Sequence, residues 1–377
     1  MRILVAGIFD ASSQRAYVIN TVKMAQGFTR LGHEITIICY QPPEGSVPPD
    51  KLSEIYGITE SLRWIQLPKK ILGYPLNEYS WFARLAIPFI FQIRPDLIYA
   101  RNDSFPGLSV FSQVGIPTVA ESHAPLNTDT PSFLRLVSFT RHRSFRLWVT
   151  ISDRLADYYH SLGVPKNKLI VLSDAVDLKL FAPPKSLPPS PYPQNRPNVA
   201  YVGHLYDYKG IPTVLEAAAK LLDINFHLVG GLPEDIARQQ TRAQKLNLCN
   251  VTFHGLKPQV EVPKYLWHAD VLLLPPSQYH PSAAWTSPVK LGEYLASGTP
   301  IVATDILALR DWLSDNEVEF VEPDHPEALA RGIQHLLTNQ QRVKQLRVSG
   351  LQKAYKLTYE KRAEAILKAA KIEGLCN

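Results

Sequence analysis

The segment Ser287-Pro288-Val289-Lys290, with Glu293 three residues further on, combines residue types that can grip a diphosphate and a sugar diol. Serine followed by proline is a strong helix start. The hydroxyl caps the first turn, and proline lacks an N–H that the first turn would leave unpaired anyway. The backbone N–H groups of Val289 and Lys290 then point out of the positive end of the helix, where an anion is favoured. Lys290 adds an ammonium at the same end. Glu293 lies three residues after Lys290 and four after Val289, so it shares their face one turn deeper. A carboxylate offers two acceptor oxygens, which match the two hydroxyls of a ribose. An ordinary amphipathic helix with a solvated lysine and glutamate has the same pattern, so both readings stand on this segment alone.

Two further residues have chemistry to offer. Lys209 precedes Gly210 and Pro212 at a second helix start, where an ammonium and free N–H groups converge. His123, in ESHAP, falls just past the carboxyl end of a strand, the side on which parallel sheets take ligands. A histidine there is also a common loop hydrogen-bonder.

The elements that must position these groups read as two successive α/β runs. In the first, the expected strands are Ile3–Phe9, Ile35–Tyr40, Asp96–Ala100, Thr118–Glu121, Trp148–Ile151 and Leu169–Leu172. A helix with Val18, Val22, Ala25 and Phe28 at helical spacing joins the first two and stops at Gly32. FAPPKSLPPSPYPQNRPN, residues 181–198, is too rich in proline to pair in a sheet or continue a helix, and reads as an extended linker. The alternation then restarts with strands Val199–Gly203, Phe226–Val229, Val251–His254, Val271–Leu274, Ile301–Thr304 and Val318–Val321. Helices are expected between them, among them Pro288–Ser297, with basic helices from about 340 to 372. Continuous apolar strands separated by helices imply parallel sheets covered on both faces. The expectation is an N-terminal Rossmann-like domain, 1–180, completed by a C-terminal helix at about 358–377, and a C-terminal Rossmann-like domain, 199–357. Two such doubly wound domains facing each other would form a central cleft.

GEYLASGTPIVATD, residues 292–305, closely resembles the second half of the signature of glycosyltransferase family four, retaining enzymes of GT-B fold. YVGHLYDYKG (201–210), VLSDAVDLKLF (171–181) and the terminal-helix residues Tyr359, Arg362 and Ala363 extend the resemblance over nearly the whole chain. It implies a sugar moved from a nucleoside-diphosphate donor, UDP- or GDP-linked, to a glycan, lipid or small-molecule acceptor. Lys209 matches the family's phosphate-binding lysine, and His204 stands where an arginine is usual. Glu293 matches the second of two motif carboxylates, the ribose clamp. The first, which touches the donor sugar, is replaced by Trp285, able to stack on a sugar or simply to fill a wall. His123 resembles the histidine near the transferred group. Asp174-Ala175 replaces the usual Asn-Gly and is assigned to structure. The implied site is therefore His123, Lys209 and Glu293 for catalysis, with His204, Trp285, Ser287, Pro288, Val289 and Lys290 holding the donor. No cofactor is implied. The sequence has no Asp-x-Asp metal motif where these residues meet, so protein cations would take the metal's part.

Composition bounds the rest. A net charge of +6 on 377 residues is too small for a nucleic-acid footprint. Three dispersed cysteines fit neither a disulfide framework nor a zinc site and imply a reducing, cytoplasmic compartment. MRILVAGIFD reads as a first buried strand and not as a signal peptide. The stretch Trp81–Ile93 is lipid-like but contains Arg84 and Pro88 and is too short to span a bilayer. Arg135, Arg141, Arg143 and Arg146, interleaved with Phe133, Leu134, Leu136, Phe139, Phe145 and Trp148, read as one basic amphipathic helix. Such a helix could lie on anionic membrane or simply cover the sheet. The competing functions are a catalytically silent GT-B protein that binds a sugar nucleotide or partner, a nucleotide-sugar epimerase, and a phosphorylase. A dinucleotide oxidoreductase is disfavoured because the first strand is not followed by G-x-G-x-x-G.

Overall fold

The computed structural model describes residues 1–101, 115–126, 137–285 and 289–371, which divide into two units. One is Met1–Ala175 together with the C-terminal segment from Thr358; the other is Val176–Leu357.

The first unit is built on strands β1 (Arg2–Asp10), β2 (Glu34–Tyr40), β3 (Arg63–Leu67), β6 (Leu97–Arg101), β7 (Thr118–Ser122), β8 (Phe145–Thr150) and β9 (Leu169–Val171). A separate hairpin pairs β4 (Lys70–Ile71) with β5 (Tyr74–Pro75). Its helices are α1 (Ala16–Arg30), α2 (Pro49–Tyr56), α3 (Glu78–Ile93) and α4 (Asp153–Ser161). The seven strands run parallel in the order β3-β2-β1-β6-β7-β8-β9. Ile3 to Phe9 are all buried, as a central parallel strand covered on both faces requires. Helix α1 places Val18, Val22, Ala25 and Phe28 in the same core.

The second unit opens with α5 (Leu178–Phe181). Its strands are β10 (Asn198–Val202), β11 (Asn225–Val229), β12 (Val251–Gly255), β13 (Val271–Leu274), β14 (Ile301–Thr304) and β15 (Glu319–Val321). They are parallel in the doubly wound order β12-β11-β10-β13-β14-β15. Between and after them come α6 (Ile211–Ala218), α7 (Pro233–Lys245), α8 (Val262–Trp267), α9 (Val289–Ser297), α10 (Leu307–Arg310), α11 (Pro326–Thr338) and α12 (Gln340–Ala354). The chain then returns to the first unit as α13 (Tyr359–Ala369), whose Tyr359, Ala363, Ile366 and Leu367 join that unit's core.

Strand β3 was not among the expected strands, and two further regions differ from the sequence reading. The proline-rich stretch is extended and also packed: Tyr192 is buried in the core of the second unit, and its hydroxyl donates to the Tyr265 carbonyl at 2.7 Å. The basic amphipathic helix does not form as read. Of its residues, those up to 136 lie outside the described ones, and Val137 to Phe139 are helical. The remainder enters strand β8, where Phe145, Leu147 and Trp148 are buried and Arg146 is exposed. Phe145 and Trp148 are therefore core residues and cannot lie on lipid. Among the described residues no helix is long and apolar enough to cross a membrane.

Candidate functional site

In the second unit the strand order reverses between β10 and β13, the position at which doubly wound sheets take ligands. Strand β10 ends at Val202, and Gly203 follows with a φ of +146°. Any other residue would be strained at that φ, and its Cβ, 2.5 Å from Lys290 Nζ, would displace the ammonium. The Lys290 ammonium, carried by α9, sits 3.8 Å from the centroid of the Tyr201 ring on β10. Tyr294 fixes that helix to the strand: Val202 N donates to its hydroxyl oxygen at 2.8 Å.

Gly210, with φ of +81°, lets the loop after β10 press against the loop after β13. A Cβ at Gly210 would lie 1.7 Å from the Pro275 carbonyl oxygen, so no other residue fits. Ser277 N donates to the Tyr208 carbonyl at 3.0 Å, and the Tyr208 and His280 rings stack 4.0 Å apart. Lys209 Nζ lies 5.0 Å from the centroid of the Tyr208 ring. Both lysines are desolvated, which pushes each below the ordinary lysine range. Lys290 is pushed much further, with the nearby Lys209 charge adding to its burial and Glu293 opposing it. Among the described residues neither ammonium has a hydrogen bond or a carboxylate within ion-pair distance. Two uncompensated cations at a switch point make a corner suited to an anion.

Glu293 lies one helical turn beyond Lys290, half-buried, and accepts a 2.8 Å hydrogen bond from Gln259 Nε2. Gln259 follows β12 and is buried, so the carboxylate is held from a third loop. His204 begins a column of near-parallel rings, His204, Tyr206, Tyr208 and His280, with successive centroids 5.2, 5.4 and 4.0 Å apart. It thus has a packing role as well as the expected place after β10. At the other end of the column, His280 Nδ1 accepts from Ser282 N at 3.2 Å and caps the short turn Pro281–Ala284 that delivers Trp285. Trp285 is half-buried. Ser287 and Pro288 lie outside the described residues, and α9 starts at Val289.

His123 belongs to the first unit and stands in a buried network of its own. Glu121, at the end of β7, is fully buried and meets Arg362 Nη1 from α13 at 2.6 Å, His123 Nε2 at 2.5 Å and the Tyr99 hydroxyl. Arg101 Nη1 is 3.9 Å away and donates to Asn20, whose amide in turn donates to Asp174 Oδ1 at 2.9 Å. Asp174 Oδ1 lies 3.5 Å from His123 Nδ1. Burial opposes ionisation of Glu121, but Arg362, the His123 hydrogen bond and Arg101 outweigh it and hold the carboxyl well below the usual range. Burial, helped by Arg101, pushes His123 down against Asp174 and Glu121. Nε2, bonded to the Glu121 carboxylate, must carry a proton there, and Nδ1 faces Asp174.

Its place after a strand and its resemblance to the family's histidine picked out His123 in the sequence. Of the groups that surround it, Asp174 was assigned to structure and Arg362 only to the terminal helix; Arg101 and Glu121 were not picked out, nor was Gln259 beside Glu293 in the second unit. Glu121 had one signal available, its place two residues before His123 at the same strand end. Among the described residues no His, Cys, Asp and Glu cluster is arranged to hold a metal ion.

Residues 20–180 match the family described as Glycosyltransferase Family 4, and residues 196–339 match the domain described as Glycosyl transferases group 1. A protein of Bacillus subtilis (strain 168), provisionally named a teichuronic acid biosynthesis glycosyltransferase, is 28% identical over 178 residues, 45% of this chain and 44% of its own length. An Escherichia coli K12 protein, provisionally named for colanic acid biosynthesis, is 30% identical over 189 residues, 48% of this chain and 44% of its own. The matched region thus spans under half the length of these curated relatives. Among solved structures, the sucrose-phosphate synthase of Thermosynechococcus elongatus superposes with a TM-score of 0.75 at 18% identity, covering 97% of each chain. Anabaena HepE, solved with UDP and glucose, gives 0.74 at 15% identity over 98% of this chain and 100% of its own.

Proposed function

We propose that this chain, which belongs to the glycosyltransferases of family four, group 1, and has their GT-B fold, moves a sugar from a nucleoside-diphosphate donor to a growing glycan. The observation that carries the reading is the pair of desolvated ammonium groups, Lys209 and Lys290, with no carboxylate bonded to either among the described residues. A diphosphate supplies the missing negative charge, and in the transition state that charge grows as the sugar departs. Glu293, held by Gln259, is oriented to accept from a ribose diol one helical turn away. In this reading the donor's diphosphate takes the acceptor's proton on the face it leaves, so the anomeric configuration is retained without a protein nucleophile. His123 serves the transferred sugar.

The lysine charges also support transfer without a metal. Relatives named for teichuronic acid and colanic acid biosynthesis favour a polysaccharide acceptor over a lipid or small molecule. The dispersed cysteines, Cys39 buried and Cys249 exposed and free, favour action in the reducing cytoplasm.

Turnover of UDP- and GDP-sugars, read as nucleotide release, tests the proposal. Lys209→Ala or Glu293→Ala is expected to lower turnover about a hundredfold, the usual cost of one electrostatic contact in the transition state. Near-normal kinetics in both would remove the site assignment. Loss of activity on chelation would overturn the metal-free part, and an inverted anomer in the product spectrum would overturn retention. A second reading, a silent sugar-nucleotide binder, is favoured by Trp285 in the place of the sugar-reading carboxylate. Donor hydrolysis without acceptor would exclude it.

A further inference from the structure

The hairpin β4–β5 projects an apolar tip. Leu72 is 92% exposed and Tyr74 76% exposed, with Ile71 exposed beside them. Leu72 has a φ of +50° and Gly73 one of +84°, the sign pattern of the tight turns that favour Asn-Gly. Leucine at the first position is therefore unfavourable both for the backbone and for solubility, so neither the fold nor solvent accounts for its side chain. The stem is anchored: Lys69 bridges Asp10 and Glu78, meeting the latter at 2.8 Å, and Leu76 N donates to the Lys69 carbonyl at 2.9 Å.

Helix α3 continues from this anchor. Its inner face buries Phe82, Ala86, Ile90 and Ile93 in the core. The outward stripe at helical spacing is Trp81, Arg84, Leu85, Pro88, Phe91 and Gln92, with Phe91 62% exposed. A solvent-facing helix normally carries charge there, and this one offers a single arginine. The Arg84 guanidinium lies 5.3 Å from the centroid of the Trp81 ring.

We propose that the hairpin tip and the outward stripe of α3 dock on the surface of a bilayer that carries anionic lipid. The charge pattern selects this occupant. From 69 to 94 the chain carries Lys69, Lys70, Arg84 and Arg94 against one acid, Glu78, which Lys69 already pairs. Lys70, Arg84 and Arg94 are exposed and available to headgroups. Leucine and phenylalanine would enter the acyl boundary, while the indole and phenol rings suit the headgroup level. The inference is independent of the transfer reaction, and it places membrane contact on a different surface from residues 133–148.

Flotation of the full chain with phosphatidylcholine vesicles, with and without roughly one-third phosphatidylglycerol to supply negative surface potential, tests it. The expected result is flotation with the anionic vesicles that weakens at least tenfold with added salt or in Leu72→Asp/Tyr74→Ala. Lys70→Glu/Arg84→Glu is expected to abolish the preference for anionic lipid. Circular dichroism keeps misfolding apart from lost binding, and both pairs are surface changes. No flotation of the unaltered chain at low salt, or equal flotation of the folded variants, would overturn the proposal. So would a dimer in solution that Leu72→Asp disrupts without any vesicle binding, which would assign the face to a second copy.

Discussion

Around Glu121 in the first unit, the buried carboxylate meets opposite charges, Arg362 at 2.6 Å and Arg101 at 3.9 Å. Around Lys290 in the second, two ammonium groups share a desolvated corner, and among the described residues neither is bonded to a carboxylate. Both places cost free energy to build, because taking a charge out of water is expensive wherever it is done. The first recovers that cost internally, so its charges hold the fold and orient His123. The second leaves the cost standing until something negative arrives. A closed charge cluster thus indicates positioning, and an open one indicates a ligand.

The largest effect that can break this comparison lies in the closed cluster. Arg362→Met would leave Glu121 buried without its main partner and remove the 2.9 Å bond to the Ser173 carbonyl. The expected loss is about 3–5 kcal/mol of stability, read from urea unfolding of the first unit. A change below about 1 kcal/mol would show that the pairing holds little.

The open cluster should behave in the opposite way. Lys290→Met removes a charge that burial already disfavours, so the unfolding midpoint should hold or rise. Affinity for a nucleoside diphosphate should nevertheless fall about a hundredfold, roughly 2.7 kcal/mol. Loss of stability with affinity intact would reverse the assignment.

The smallest effect concerns protons. Lys290 is lowered in the free protein, and a bound diphosphate raises it again. Its contribution to binding is therefore complete below the free-state value and is lost as pH rises through the bound-state value. Calorimetry in buffers of different ionisation enthalpy should show net proton uptake on binding at pH values between the free-state and bound-state values of Lys290. Proton release there would contradict the sign.

The sequence made local periodicity legible and long-range pairing illegible. Strands β13 and β14 stand where the apolar runs placed them, because a fully buried parallel strand leaves little choice of residue. Strand β3 was missed: in Arg63-Trp64-Ile65-Gln66-Leu67 only Ile65 and Leu67 are buried, and such an edge strand resembles a loop. Residues 145–147, the start of a strand expected only from Trp148, were misread because Phe145 in, Arg146 out and Leu147 in was taken for part of a helix. Within the site, Lys290 and Glu293 were readable because one helix fixes their separation. The bond between Glu121 and Arg362 spans 241 residues and depends on where α13 docks, which no short motif encodes.

The central claim is that Lys209 and Lys290 recognise the diphosphate of the donor, and comparing nucleotides tests it most directly. Isothermal titration of UDP, UMP, GDP and GMP should show the diphosphate of the preferred base binding at least about thirtyfold more tightly than its monophosphate, some 2 kcal/mol for the second phosphate. Equal dissociation constants for diphosphate and monophosphate would contradict the account.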